Sequence, residues 1–141
     1  MLPWPIHRLS TLRVGVVGLG RIGSTFARSI KPFVRDVVGF DPFLAANQLE
    51  AKNVTPTSLE SLFETSDIIS LHLPLSEKTR HVSTRTIALM KRKPIIINVS
   101  RGGLIDGGAL ANALEKGELS GAGIDVFEDE PNVTYQEDIT N

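Results

Sequence analysis

The chain has 141 residues, 41% of them hydrophobic and 22% charged, the composition of one globular domain rather than of a disordered chain. Cysteine is absent, which excludes disulfides, iron–sulfur clusters, thiolate zinc sites and a cysteine nucleophile. The net charge of −1 divides into +4 from Met1 to Phe127 and −5 from Glu128 to Asn141; the bases are scattered and the one run, Lys91-Arg92-Lys93, is short, so no nucleic-acid footprint is present.

No apolar run approaches the roughly 18 residues of a membrane span. The opening MLPWPIHRLSTLR lacks the apolar core of a signal peptide, so a cytoplasmic protein is expected. Pro3 and Pro5 keep residues 1–11 irregular. Leu12 to Val17 reads as a buried strand, followed directly by Gly18-Leu19-Gly20-Arg21-Ile22-Gly23. Helical periodicity then runs through Ile22, Phe26, Ala27 and Ile30, with Pro32 and Phe33 at the helix exit. Asp36 to Phe40 is a second strand ending at Asp41-Pro42. Ala45 to Lys52 is a short helix, and Val54 begins a weak third strand. Thr57 and Glu60 have capping-box spacing for a helix that ends near Thr65.

Asp67 to Leu71 is a fourth strand, with His72-Leu73-Pro74-Leu75 as the loop after it. A helix is expected around Thr84 to Met90. Pro94 to Val99 is an apolar fifth strand of the kind buried on both faces. Asp106 caps a helix from Gly107 to Lys116 with the stripe Ala109, Leu110, Ala113 and Leu114. Gly121 to Phe127 is a sixth strand. Strands and helices alternate throughout, which predicts an α/β fold with a doubly wound parallel sheet of about six strands in the order 3-2-1-4-5-6. The expected organisation is an irregular segment 1–11, a Rossmann-type domain 12–131 and an acidic tail 132–141.

The glycine loop lies between a strand and a helix, and Asp41 follows Gly23 by 18 residues at the end of the next strand. Gly18 permits the tight turn, Gly20 lets backbone approach a pyrophosphate, and Gly23 lets helix and strand pack closely. The N–H groups of the helix start, at Arg21, Ile22 and Gly23, face the phosphates, and Arg21 adds a charge-assisted contact. Asp41 can accept both adenosine ribose hydroxyls and would repel a 2′-phosphate, favouring NAD(H) over NADP. A strand–turn–helix that merely needs glycines, or a turn-forming Asp41-Pro42, is the structural alternative. The loop alone does not separate NAD from FAD.

Asn98-Val99-Ser100-Arg101-Gly102-Gly103-Leu104-Ile105-Asp106 and Gly121-Ala122-Gly123-Ile124-Asp125-Val126-Phe127-Glu128-Asp129-Glu130-Pro131 closely resemble the NAD-binding domain of the D-isomer-specific 2-hydroxyacid dehydrogenases, over about Arg13 to Pro131. The resemblance implies hydride transfer between NAD(H) and a small 2-hydroxy or 2-keto acid. It makes Arg101 the catalytic arginine on the substrate carboxylate and Glu130 the acid that pairs with the catalytic histidine. Asp125 would bind the nicotinamide carboxamide, while His72, Leu73, Pro74, Val99 and Ser100 would line the cofactor cleft. Pairing into a homodimer through this domain is also implied; no metal is.

A planar guanidinium matches a carboxylate and stabilises charge gained by a carbonyl oxygen. The plain alternatives are a surface Arg101, a solvated Glu130, a strand-end cap at Asp125 and a polar wall at His72. His7 and His81 read as surface histidines, and Lys91-Arg92-Lys93 as a solvated turn. The family's separate substrate domain and its histidine beyond Glu130 have no counterpart in these residues, so the chain is expected to bind NAD(H) with little catalysis of its own. A nucleotide-sensing or protein-interaction module of the same fold is the second reading, against which Arg101 and Glu130 argue.

Overall fold

The computed structural model describes residues 6–74, 76–77, 79 and 82–126. Six parallel strands form one sheet: β1 (Arg13–Val17), β2 (Asp36–Phe40), β3 (Thr55–Pro56), β4 (Ile68–Leu71), β5 (Ile95–Asn98) and β6 (Gly121–Ile124). Their spatial order is β3-β2-β1-β4-β5-β6, the doubly wound order that the alternation implies. Helices α1 (Arg21–Ile30), α2 (Ala46–Glu50), α3 (Leu59–Thr65), α4 (Thr84–Ile87) and α5 (Gly107–Glu115) make the crossovers.

Strand residues alternate between two apolar cores, because successive side chains leave a strand on opposite faces. Val14, Val16 and Val37 pack with Ala27 of α1 and Leu49 of α2. Val17, Val38, Ile69, Leu71 and Ile96 pack on the other face with Leu62 and Phe63 of α3, Ile87 of α4 and Ala113 of α5. Gly15 has no room for a side chain beneath Leu62 and Ser66, which lets α3 sit directly on β1. The first core takes no buried residue from β5 or β6; on that face Ile95 is 39% exposed.

Several local expectations are corrected. Leu9–Thr11 form one 3-10 turn inside the segment expected to be irregular. Ser58, not Thr57, caps α3: its Oγ accepts the Ser61 N–H at 3.1 Å, so the Thr57–Glu60 box does not form. Ile22 is 69% exposed and lies off the buried stripe of α1, which centres on Gly23 and Ala27. Leu114 is likewise exposed on α5. Helix α4 stops at Ile87 and continues as turns, and β3 is only two residues long. Strand β6 ends at Ile124; Phe127, like Glu130 and His81, lies outside the described residues.

Charge fastens the amino-terminal edge of the sheet. Arg13 is in register with Asp36, and its Nη2 reaches Asp36 Oδ2 at 2.7 Å while Nε donates to both oxygens. Asp67 accepts the Arg13 N–H at 2.8 Å and the Arg92 Nε–H at 2.6 Å. Lys91 lies 3.6 Å from Glu64, so two members of the basic run are ion-paired rather than merely solvated. The bond from Arg13 holds the Asp36 carboxyl below its usual 3.8. A carboxylate with a depressed pKa stabilises the fold above its unfolded value, and that contribution is lost as pH falls through the folded one. Asp36→Asn is therefore expected to cost about 1 kcal/mol at pH 7. Urea titrations of both proteins should show this gap close as pH falls below 3.8.

Candidate cofactor-binding cleft

The carboxyl ends of β1, β2 and β4 open into a cleft of about 360 Å³ lined by Leu19, Gly20, Arg21, Asp41, Phe43, Leu44, Lys52, His72, Leu73 and Pro74. Ligands of open α/β sheets bind at this edge, where the strand order reverses. Here the reversal falls between β1 and β4. The glycine loop adopts its shape for identifiable reasons. Gly18 has φ +92°, a region that disfavours any residue with a Cβ. A Cβ on Gly23 would collide with the Gly18 carbonyl oxygen, so α1 approaches β1 only because position 23 is glycine. Around Gly20 there is open space.

Helix α1 begins without a side-chain cap or an acid in its first turn. Its first internal bond runs from the Ser24 N–H to the Gly20 carbonyl at 3.0 Å. The N–H groups of Arg21, Ile22 and Gly23 thus have no acceptor within the helix. This is the donor set that a diphosphate requires, so the residues fit a dinucleotide. Ile22 contributes its backbone there, while its side chain stays exposed.

Asp41 is buried to 9% exposure. Its Oδ2 accepts the Leu19 N–H at 2.7 Å and its Oδ1 the Phe43 N–H at 2.8 Å. The carboxylate is therefore a brace of the glycine loop as well as a cleft wall, a role not anticipated from its spacing. Each oxygen keeps a second acceptor position. His72 stands on the other wall. Its N–H donates to the Val17 carbonyl at 2.8 Å, its Nε2 lies 2.8 Å from the Ser70 hydroxyl, and its ring tilts against Phe26 at 5.3 Å.

Val99, Ser100, Arg101 and Asp125 do not line this cleft; they lie on adjacent loops after β5 and β6. One bond joins them to it, and a second joins the two loops to each other. Ser100 Oγ donates to the Leu73 carbonyl at 2.8 Å, and the Asp125 N–H donates to the Asn98 carbonyl at 3.1 Å. Arg101 is exposed; its Nη1 donates to the Ser100 carbonyl at 2.8 Å. No carboxylate among the described residues pairs with it. Sequence reasoning missed Leu19, Phe43, Leu44 and Lys52 as cleft residues. The available signal was an aromatic two residues after Asp41; the structure leaves this Phe43 67% exposed.

Residues 2–138 match the model of the D-isomer specific 2-hydroxyacid dehydrogenase, NAD binding domain. The chain belongs to this family. The D-3-phosphoglycerate dehydrogenase of Methanocaldococcus jannaschii is 44% identical over 120 residues, which is 84% of this chain and 23% of that protein. The D-lactate dehydrogenase of Treponema pallidum is 42% identical over 117 residues, 82% of this chain and 35% of that one. A crystal structure of a Treponema pallidum D-lactate dehydrogenase, TP0037, superposes with a TM-score of 0.81 at 38% identity, covering 96% of this chain and 42% of the other. The Aquifex aeolicus D-lactate dehydrogenase, solved with NAD and lactic acid, gives 0.80 at 40% identity, covering 87% and 37%. The chain thus spans less than half of the relatives that it matches. It is an NAD-binding domain of this dehydrogenase family. No described helix is long and apolar enough to cross a membrane.

Burial holds the His72 imidazole below its usual 6.5. In the interval below that value the unfolded chain binds a proton that the folded one excludes, so stability falls as pH falls. Denaturant midpoints measured from pH 7.5 to 5 are expected to decline more steeply for the unaltered chain than for His72→Gln.

Proposed function

We propose that this domain binds NAD(H) in preference to NADP(H) and serves hydride transfer between that cofactor and a D-2-hydroxy or 2-keto acid. The observation that carries the reading is the uncapped amino terminus of α1 opening beside Asp41 in one cleft. The free N–H groups of Arg21, Ile22 and Gly23 bind the pyrophosphate, with Gly20 leaving room for its approach. Arg21 adds charge at the mouth. Asp41 uses its remaining acceptor positions for the adenosine hydroxyls, and a 2′-phosphate there would meet a carboxylate. His72, Leu73 and Pro74 form the opposite wall.

When bound, the nicotinamide supplies the hydride chemistry. The chain's part is to bind and orient. Val99 and Ser100 flank the nicotinamide end, and Asp125 accepts from its carboxamide. Arg101 holds the substrate carboxylate with its planar fork and stabilises charge on the reacting oxygen. Glu130, outside the described residues, takes the role of raising the basicity of a histidine that exchanges the hydroxyl proton. A homodimer through this domain belongs to the same proposal. Retention of Arg101 favours the dehydrogenase reading over a sensing module, which has no use for a substrate clamp.

Titration with NADH and NADPH, followed by nucleotide fluorescence, tests the cofactor claim. NADH should bind more tightly than NADPH by roughly tenfold or more, since like-charge juxtaposition costs several kcal/mol. Gly20→Ala should keep the wild-type melting temperature, because its Cβ meets no atom within 4 Å, yet lose most NADH affinity. Unchanged affinity in that variant overturns the pyrophosphate assignment. No histidine follows His81 in these 141 residues, so on these residues alone turnover of 2-keto acids with NADH should be slight. Turnover at the level of a complete dehydrogenase overturns that expectation.

A further inference from the structure

Asn98 ends β5 and is only 1% exposed. Its side chain makes no contact with the mouth of the nucleotide cleft. Both of its amide functions are nevertheless used, and both go to the loop that follows. Oδ1 accepts the Ser100 N–H at 3.1 Å, and Nδ2 donates to the Arg101 carbonyl at 2.8 Å. That carbonyl also accepts the Leu104 N–H at 3.2 Å, so both of its acceptor positions are filled. The asparagine therefore fixes the backbone on either side of the Ser100–Arg101 peptide. Ser100, held in this way, reaches Leu73 across the sheet. The Asn98 backbone carbonyl simultaneously accepts from Asp125. Serine or threonine could not span the two groups, since neither offers an acceptor and a separate N–H donor in one plane. An apolar residue would leave the Ser100 N–H and half of the Arg101 carbonyl without partners in a part-buried loop, at a cost.

We propose that Asn98 is the positioning residue of the nicotinamide and substrate end of the site: its carboxamide sets the 98–101 loop so that Val99, Ser100 and Arg101 face the reactants. This rests on the assignment of that loop to the nicotinamide end made above. Asn98 touches neither cofactor nor substrate, and acts through Ser100 and Arg101.

NADH and ADP-ribose separate this role from a merely structural one, because ADP-ribose lacks the nicotinamide and reports only on the glycine loop and Asp41. Two variants are needed. Asn98→Asp keeps the shape and the acceptor but loses the N–H that meets Arg101; Asn98→Ala loses both. The unaltered chain should bind NADH more tightly than ADP-ribose. Asn98→Asp should lose roughly fivefold to tenfold in NADH affinity, the worth of one hydrogen bond, and Asn98→Ala at least as much, with ADP-ribose affinity kept within about twofold of the starting value in both. If the unaltered chain binds neither ligand, the cofactor reading itself fails. If it binds both equally, the loop is not at the nicotinamide end and the inference is overturned. Parallel losses for both ligands, unchanged NADH affinity, or failure of both variants to fold each overturn it as well, since Asn98 would then be a core residue only.

Discussion

Two backbone N–H groups converge on one buried carboxylate, and the cleft takes its shape from that convergence. Leu19 belongs to the turn after β1, and Phe43 to the chain leaving β2; both donate to Asp41. A carboxylate taken out of water needs such donors, and a turn rich in glycine needs a partner that fixes it. Each requirement answers the other. The result is a loop set before any ligand arrives, which lowers the ordering cost of binding. The Gly18 N–H, bonded to the Phe40 carbonyl at 2.8 Å, ties the same two strands one step earlier.

The sheet has a division of labour along its strands. At the amino-terminal edge Arg13, Asp36, Asp67 and Arg92 pair with each other. At the carboxyl edge polar groups are left with open valences: the first N–H groups of α1, the second acceptor positions of Asp41 and the guanidinium of Arg101. Charge pairing is concentrated at one end and open polar groups at the other. Between the two ends the central strand β1 is buried on both faces, with Val14, Val16 and Val17 at most 1% exposed. Nothing in that arrangement needs a large aromatic core, and only 6% of the sequence is aromatic.

The sequence was most legible where physics is repetitive. Strand β2 was read with its observed limits, because a parallel strand covered on both faces is an apolar run with polar ends. The strand order followed from the alternation and from handedness. Legibility failed where neighbouring residues offer equivalent chemistry. Thr57 and Ser58 are both competent caps, and only the path of the chain from β3 selects Ser58. Ile22 has helical spacing but faces solvent, because the close approach of Gly23 rotates the buried stripe away from it. Among site residues, the glycine loop and Asp41 were readable from local pattern and the 72–74 loop only from the family resemblance; all three line one cleft. The bracing role of Asp41 and the two bonds of Asn98 were not, since they depend on which backbone groups return to those side chains. Lys52 and Phe43 enter the cleft through the path of α2, which spacing from the glycines does not encode.

The contact between α1 and β1 also constrains how this gene can change. Position 23 has space for hydrogen alone, because the Gly18 carbonyl oxygen occupies the place of a β-carbon. Every one-base change of a glycine codon that alters the amino acid installs a side chain. No single missense step at this codon is therefore neutral, and drift there is closed unless the helix first moves away from the strand. Such a move would itself dismantle the glycine turn, so its geometry is inherited as a block rather than residue by residue.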